Sequence, residues 1–343
     1  MSNELSADEI ALYDRQLRVW GAEGQTHLKN SRILLLNFTS LGCEIIKNLI
    51  LAGVGSVEIY DSDTVKEQDF SAGNFFLSES ELAKSKVDQA IIDRVRDLNP
   101  RVNVTARDEP ILWEEHKNME YFRRFNLIIA NNLSYEETVK LNAITREAGI
   151  ALYLTVNHGI YGLAFNDLLI NVSTYVDFKN PLARVVGPIS RNSEIVKVEK
   201  FYDEESEKFK ERFTVKSQYK PFIDTYTSSA FANLTKRKRK NVSELLSLFL
   251  SNLQTPTSDP TELISKANEL QTKLQLNPLS EQTINTTVPS FLEQQGTEIA
   301  PVSAIMGGAL AQDIINFISK KVEPMDNLMI FDGVNYSMPV YEM

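Results

Sequence analysis

Arg32-Ile33-Leu34-Leu35-Leu36-Asn37-Phe38-Thr39-Ser40-Leu41-Gly42 is the stretch whose reading decides the fold. The run 33–37 is continuously apolar up to Asn37 rather than alternating, as expected of a strand covered on both faces in a parallel sheet. After the turn at 39–42 a helix is expected over Glu44–Ala52, with Ile45, Ile46, Leu49 and Ile50 on one side, and Gly53 is placed to end it. A second strand, Ser56–Tyr60, then closes on Asp61. Strand, turn, helix and strand at this spacing make a right-handed βαβ unit.

Toward the N-terminus, Ser6 and Glu9 form a capping box, and Ile10, Tyr13 and Leu17 recur at helical spacing. They predict a short amphipathic helix from about residue 7 to 18, with Asp14 and Arg15 on its other face. Toward the C-terminus the alternation continues with a helix over about Glu81–Leu98, stopped before Pro100, and strands at Val102–Thr105 and Leu127–Ala130. A helix at Tyr135–Ala148 and a strand at Ala151–Val156 follow. The fold class is therefore α/β: a Rossmann-like, doubly wound, mostly parallel sheet. After Gly159, Tyr161–Phe165, Leu168–Val172 and Glu194–Phe201 read as strands without intervening helices, an antiparallel extension of the sheet. Asp203–Lys216 is densely charged and reads as solvated, and Thr255–Thr261 as a loop, with helical patterns before it and over Thr261–Leu274. Pro301–Ile318 reads as an apolar helix and Leu328–Phe331 as a strand. This divides the chain into a Rossmann-like part (1–175), a β extension with a helical and charged insert (176–300), and a closing helix and strands (301–343).

With 343 residues, 43% hydrophobic and 24% charged, the composition is that of a globular chain of two or three domain-sized units. The balance of 36 Lys+Arg against 46 Asp+Glu, net −10, disfavours a general nucleic-acid surface. Cys43 is the single cysteine, and His27, His116 and His158 stand far apart, so neither an internal disulfide nor a metal site is expected. The acidic opening MSNELSADEIALYD has no apolar run, and no stretch reaches the ~20 apolar residues of a span. No secretory or transit signal is expected, and the chain reads as soluble, intracellular and without membrane contact.

The first βα turn is where a nucleotide-binding α/β fold places glycines, because only glycine lets the backbone N–H groups approach a phosphate closely. Here one glycine, Gly42, remains, and a side chain at each of 37–40 crowds a pyrophosphate. The turn reads as filled, with nucleotide binding as the alternative. Asp61, 19 residues after Gly42, suits either a ribose-holding acid or a turn carboxylate, and Asp63 shares that second reading. Cys43, inside the helix, reads as a packing residue.

Tyr13-Asp14-Arg15-Gln16-Leu17-Arg18-Val19-Trp20-Gly21 resembles the opening signature of the adenylation domains of ubiquitin-like-protein activating enzymes. The resemblance extends through the stretches at 42–49 (GCEIIKNL), 61–65 (DSDTV), 97–100 (DLNP), 307–313 (GGALAQD) and 331–333 (FDG). It implies the adenylation fold of that family. It also implies departures from the active pattern. The family's G-x-G-G-x-G turn meets Asn37, Thr39 and Ser40 at three glycines, and its asparagine and arginine segment meets 69–75 (DFSAGNF), with no arginine between Lys66 and Lys84. Its magnesium-binding aspartate falls in 130–134 (ANNLS), which holds no acid, while Lys86 matches the following lysine. These departures resemble a pseudo-adenylation half, inactive alone, with ATP and magnesium held by a larger, thiol-bearing catalytic subunit. In that family the inactive half's N-terminal helix reaches into the partner's ATP site, and the arginine it presents matches Arg15, the one catalytic and cofactor-contacting residue the resemblance implies for this chain. At ~100° per residue Arg15 lies roughly 140° from Ile10, off the packing stripe. The other reading is a surface arginine paired with Asp14 or Asp8.

The short interval before Gly307-Gly308 and the closing 327–333 (NLMIFDG) resemble the small subunits of SUMO-activating heterodimers, fungal ones in particular. The partners so implied are the catalytic subunit, SUMO, and indirectly the SUMO-conjugating enzyme. The apolar helix at Leu310–Ile318 is the candidate interface. The alternatives are the equivalent subunit for NEDD8, a scaffold without a part in the chemistry, and a stand-alone nucleotide-dependent oxidoreductase or adenylyltransferase, which the degraded turn opposes. Lys236-Arg237-Lys238-Arg239-Lys240 resembles a nuclear-localisation signal, giving nuclear as well as cytoplasmic residence, or else is a solvated charge run.

Overall fold

The computed structural model describes residues 5–109, 115–178, 184–204 and 207–343. Within these, the side chains of 115–118 (His116 among them), 177 and 178 lie outside the description, as do residues 205 and 206 of the charged segment. In chain order the elements are α1 (Ala7–Leu12), α2 (Asp14–Lys29), β1 (Arg32–Leu36), α3 (Ser40–Ala52), β2 (Ser56–Tyr60), α4 (Glu67–Ser71), α5 (Gln89–Asp97), β3 (Asn103–Arg107), α6 (Glu115–Phe122), β4 (Leu127–Asn131), α7 (Tyr135–Ala148), β5 (Ala151–His158), β6 (Tyr161–Asp167), β7 (Ile170–Phe178), β8 (Gly187–Pro188), β9 (Ser193–Asp203), β10 (Lys208–Gln218), α8 (Lys236–Arg239), α9 (Leu245–Gln254), α10 (Pro260–Lys273), α11 (Val288–Glu293), α12 (Ala300–Ser319), β11 (Leu328–Asp332) and β12 (Val340–Tyr341).

One eight-stranded sheet, in the order β12-β11-β6-β5-β4-β1-β2-β3, carries the fold. β3, β2, β1, β4 and β5 are parallel, and β6, β11 and β12 continue it antiparallel. The winding reverses between β1 and β4, so the crevice beyond Leu36 and Ala130, paired in register, is the topological switch point. β1 is buried on both faces, as its unbroken run predicts. Ile33 and Leu35 join the layer that holds α3 and α12, whereas Leu34 and Leu36 join the layer of α7, α9, α10 and α11.

Five expectations change. The helix expected at 7–18 is two helices, broken at Tyr13, whose ring is buried while Ile10 is 49% exposed. The helix expected from Glu81 starts only after its cap Asp88, because 83–86 bond sideways to the chain at 63–65, with Val65 N–H to Lys84 O at 2.8 Å and Ala83 N–H to Val65 O at 2.9 Å. The antiparallel extension divides: β6 joins the main sheet, but β7, β10, β9 and β8 form a second sheet of four strands. Most of the charged segment expected to be solvated is β10, whose outward charges sit in register with those of β9 (Arg212 with Glu199, Lys216 with Glu194) while Phe213 and Val215 turn inward.

The fifth concerns α12. At 20 residues it does have the length and apolarity of a membrane span, contrary to the expectation that no segment does. Its apolar side is consumed internally: Leu310, Ile314 and Ile315 are buried among α3 and α2, so this face of the candidate interface is core. Gly307 permits that approach, since a Cβ there would lie 2.4 Å from Glu44 Cβ.

Candidate functional site

The turn leaving β1 lies at the switch point, and the chain itself occupies it. Asn37 takes the left-handed conformation (φ 66°) without being glycine. Its amide is held by a reciprocal pair, Asn37 Nδ2 donating to Asn131 O at 2.7 Å and Asn131 Nδ2 to Asn37 O at 2.9 Å. Phe38 is fully buried and stacks on Phe76 with ring centroids 6.0 Å apart. The N–H groups that a phosphate would need are engaged: Phe38 N–H donates to Asp61 Oδ2 at 2.8 Å, Gly42 N–H to its cap Thr39 at 3.1 Å, and Ser40 N–H to Glu298 Oε2 at 2.7 Å. Asn132 Nδ2 reaches the other Glu298 oxygen at 3.4 Å. A carboxylate from the far end of the chain thus sits on the N-terminus of α3, where the helix end favours negative charge. A pyrophosphate does not fit this turn: the anion position and the N–H donors are taken, and Phe38 fills the space beside them.

The charges around the turn are closed among themselves. Lys86, 7% exposed, pairs with Asp69 at 2.8 Å. Burial alone would pull its ammonium down, but Asp69, Asp61 and Asp63 outweigh that and hold its pKa above the ordinary value. Burial pushes the Glu298 and Asp61 carboxyls up, against the pull of their hydrogen bonds and of Lys86. Asp61 accepts from the N–H groups of Phe38 and Asp63, as its turn-carboxylate reading expects. Cys43 is wholly buried, where burial and nearby Glu298 push its thiol well above the usual range, in keeping with a packing residue.

Arg15 stands elsewhere. Tyr13, at the joint between α1 and α2, lies against Gly53 at the C-terminal end of α3, whereas the turn is at its N-terminal end. The ends of a 13-residue helix are about 18 Å apart. Arg15 and the chain's own turn are not brought together. Arg15 is exposed, and among the described residues no hydrogen bond or ion pair holds it; Asp14, its expected local partner, pairs with Arg18 at 2.8 Å instead. Val19, one turn further on, is 72% exposed.

Of the basic run, Lys236, Arg237, Lys238 and Lys240 are exposed on and after α8, while Arg239 folds back to donate to Ala232 O at 2.8 Å. The residue that sequence reasoning missed is Glu298, 258 positions from the N–H it accepts. Its only local signal is an acid just ahead of an apolar helix.

The description of the ThiF family matches residues 13–343. The chain is 34% identical over 345 residues to DNA damage tolerance protein RHC31 of Saccharomyces cerevisiae, spanning 99% of this chain and 98% of that protein. It is 29% identical over 333 residues to SUMO-activating enzyme subunit 1 of Homo sapiens, spanning 96% and 94%. Among solved structures, a crystal structure of PaaA shares the fold at a TM-score of 0.56 and 13% identity, covering 100% of this chain and 77% of that one. Escherichia coli MccB does so at 0.53 and 12%, covering 96% and 70%.

Proposed function

The chain belongs to the ThiF family, and we propose that it is the small, pseudo-adenylating subunit of the SUMO-activating heterodimer. The larger subunit binds ATP and magnesium, adenylates the SUMO C-terminus and carries the thioester passed on to the SUMO-conjugating enzyme. This chain binds no nucleotide itself and inserts Arg15 into the partner's ATP site. There a fixed, permanently charged guanidinium neutralises charge developing on the phosphates as pyrophosphate leaves. The exposed basic run serves nuclear import.

The observation that carries this reading is the Glu298 carboxylate on the N-terminus of α3. A chain whose own anion site is closed by its own acid, while an unpaired arginine stands on a firmly seated helix at the other end of α3, is built to complete a site on another protein. Similarity to SUMO-activating enzyme subunit 1 over nearly the whole length supports the large subunit of that enzyme as the partner.

ATP–pyrophosphate exchange with SUMO present tests it, using this chain alone, the large subunit alone and the two together. Exchange only in the mixture is expected. Exchange by this chain alone would mean that the turn at 37–42 cradles a phosphate after all, and the reading would fail.

A further inference from the structure

Two sequence motifs far apart in the chain meet at one point. Tyr13 opens the stretch that bears Arg15, and Asn99 belongs to the turn at 97–100; Asn99 Nδ2 donates to Tyr13 Oη at 2.9 Å and to Ile50 O at 2.9 Å. Both side chains are buried, Tyr13 to 4% exposure and Asn99 to 6%. Ile50 O belongs to the last turn of α3 and also accepts from the N–H of the cap Gly53 at 3.0 Å. Five residues after Arg15, a second tether reaches the same helix end: Trp20 Nε1 donates to Gln25 Oε1 at 2.8 Å, and Gln25 Nε2 to Ala52 O at 2.9 Å. A third, Lys29 to Glu9 at 3.0 Å, ties α1 to the part of α2 beyond Gly21, where a φ of 72° breaks the helix.

Gly53 makes room for this. Its φ of 82° ends α3, and a Cβ there would lie 2.5 Å from Tyr13 Cζ and 2.9 Å from Gln25 Nε2. Between Tyr13 and Trp20, Asp14, Arg15, Arg18 and Val19 are exposed, and Gln16 and Leu17 are half-buried. Its direction is therefore set at its two ends, and Tyr13 is the end nearer Arg15.

We infer that Tyr13 and Asn99 are positioning residues for Arg15, locking the first turn of α2 onto the C-terminal carbonyls of α3. This rests on the reading in which Arg15 acts on the partner's ATP site. A transition-state contact of that kind loses its effect when its charge is displaced by about 1 Å. The hydroxyl of Tyr13 thus acts through Arg15, touching no substrate.

The test is pyrophosphate exchange by the full heterodimer carrying Tyr13→Phe or Asn99→Asp, each alone and combined with Arg15→Ala. Tyr13→Phe keeps the ring on Gly53 and removes only the hydrogen bond. Each single variant is expected to lower kcat by about 3- to 10-fold, with KM for ATP and SUMO within about twofold and the heterodimer intact by size-exclusion chromatography. In the Arg15→Ala background the same substitutions are expected to cost nothing more. Unchanged kcat, or an equal loss in both backgrounds, would overturn the inference, the second leaving Tyr13 and Asn99 as packing residues. If Arg15→Ala alone left exchange at the parental rate, the failure would lie with the proposed function instead.

Discussion

At the scale of single residues, the chain reads as one in which a ligand's contacts have been replaced by its own side chains. Lys86 carries the clearest consequence. It is the buried cation among Asp69, Asp61, Asp63 and Glu298, so removing it strands acids that burial already disfavours in their charged form. Lys86→Ala is expected to cost about 3–5 kcal/mol, the range for breaking a buried pair on one side only, in urea unfolding of the isolated chain near pH 7. A variant as stable as the parent would mean that Lys86 is not the internal counter-ion. That the turn is filled was legible here from Phe38 and the missing glycines, because those are local facts of the turn. What fills the turn was not. Glu298 is adjacent in space and remote in sequence, and no periodicity or spacing rule links it to Ser40.

Between elements, the strands and helices announced themselves through the period of their apolar residues, but not the sheet each strand would join. β10 alternates charged and apolar residues as a half-buried strand should, yet its density of Lys, Arg and Glu resembles a solvated segment until β9 supplies the opposite charges in register. For α12 the apolar run was read correctly and its partner was not: α3 takes that face, and Gly307 is the signal for the close approach. The link from α12 to β11 makes a prediction of its own. Asp326, on that link, has a carboxyl pushed up to about 7, first by burial, then by Glu342 and Glu323, while Asn192 and Arg191 pull the other way. The folded chain holds this proton more tightly than the unfolded chain, so its stabilising share is complete below the ordinary carboxylate range and is lost as the pH rises through 7. Allowing for its partial exposure, the loss is on the order of 1–2 kcal/mol. Urea unfolding at pH 5.5 and 8.5 is expected to show it, and Asp326→Asn to flatten the difference; an unaltered pH slope in the variant would assign the effect to other groups.

For the whole molecule, one helix organises the account. The N-terminus of α3 closes the chain's own anion site, and its C-terminus seats the arm that carries Arg15. The α/β winding placed both features before any side chain was considered, since the switch point lies beyond β1 and α3 runs back along the sheet. Composition, net −10, and an exposed guanidinium without a partner among the described residues give no direction by themselves; the direction comes from α3, about 18 Å long, which separates the turn from the joint that carries Arg15. The proposed function accordingly puts the chemistry this chain serves on another protein. The measurement that bears most directly on this is ATP–pyrophosphate exchange by the heterodimer carrying Arg15→Ala, at saturating ATP and SUMO. The account predicts exchange slowed by about 100-fold in a fully assembled complex. Exchange at the parental rate in such a complex would contradict it.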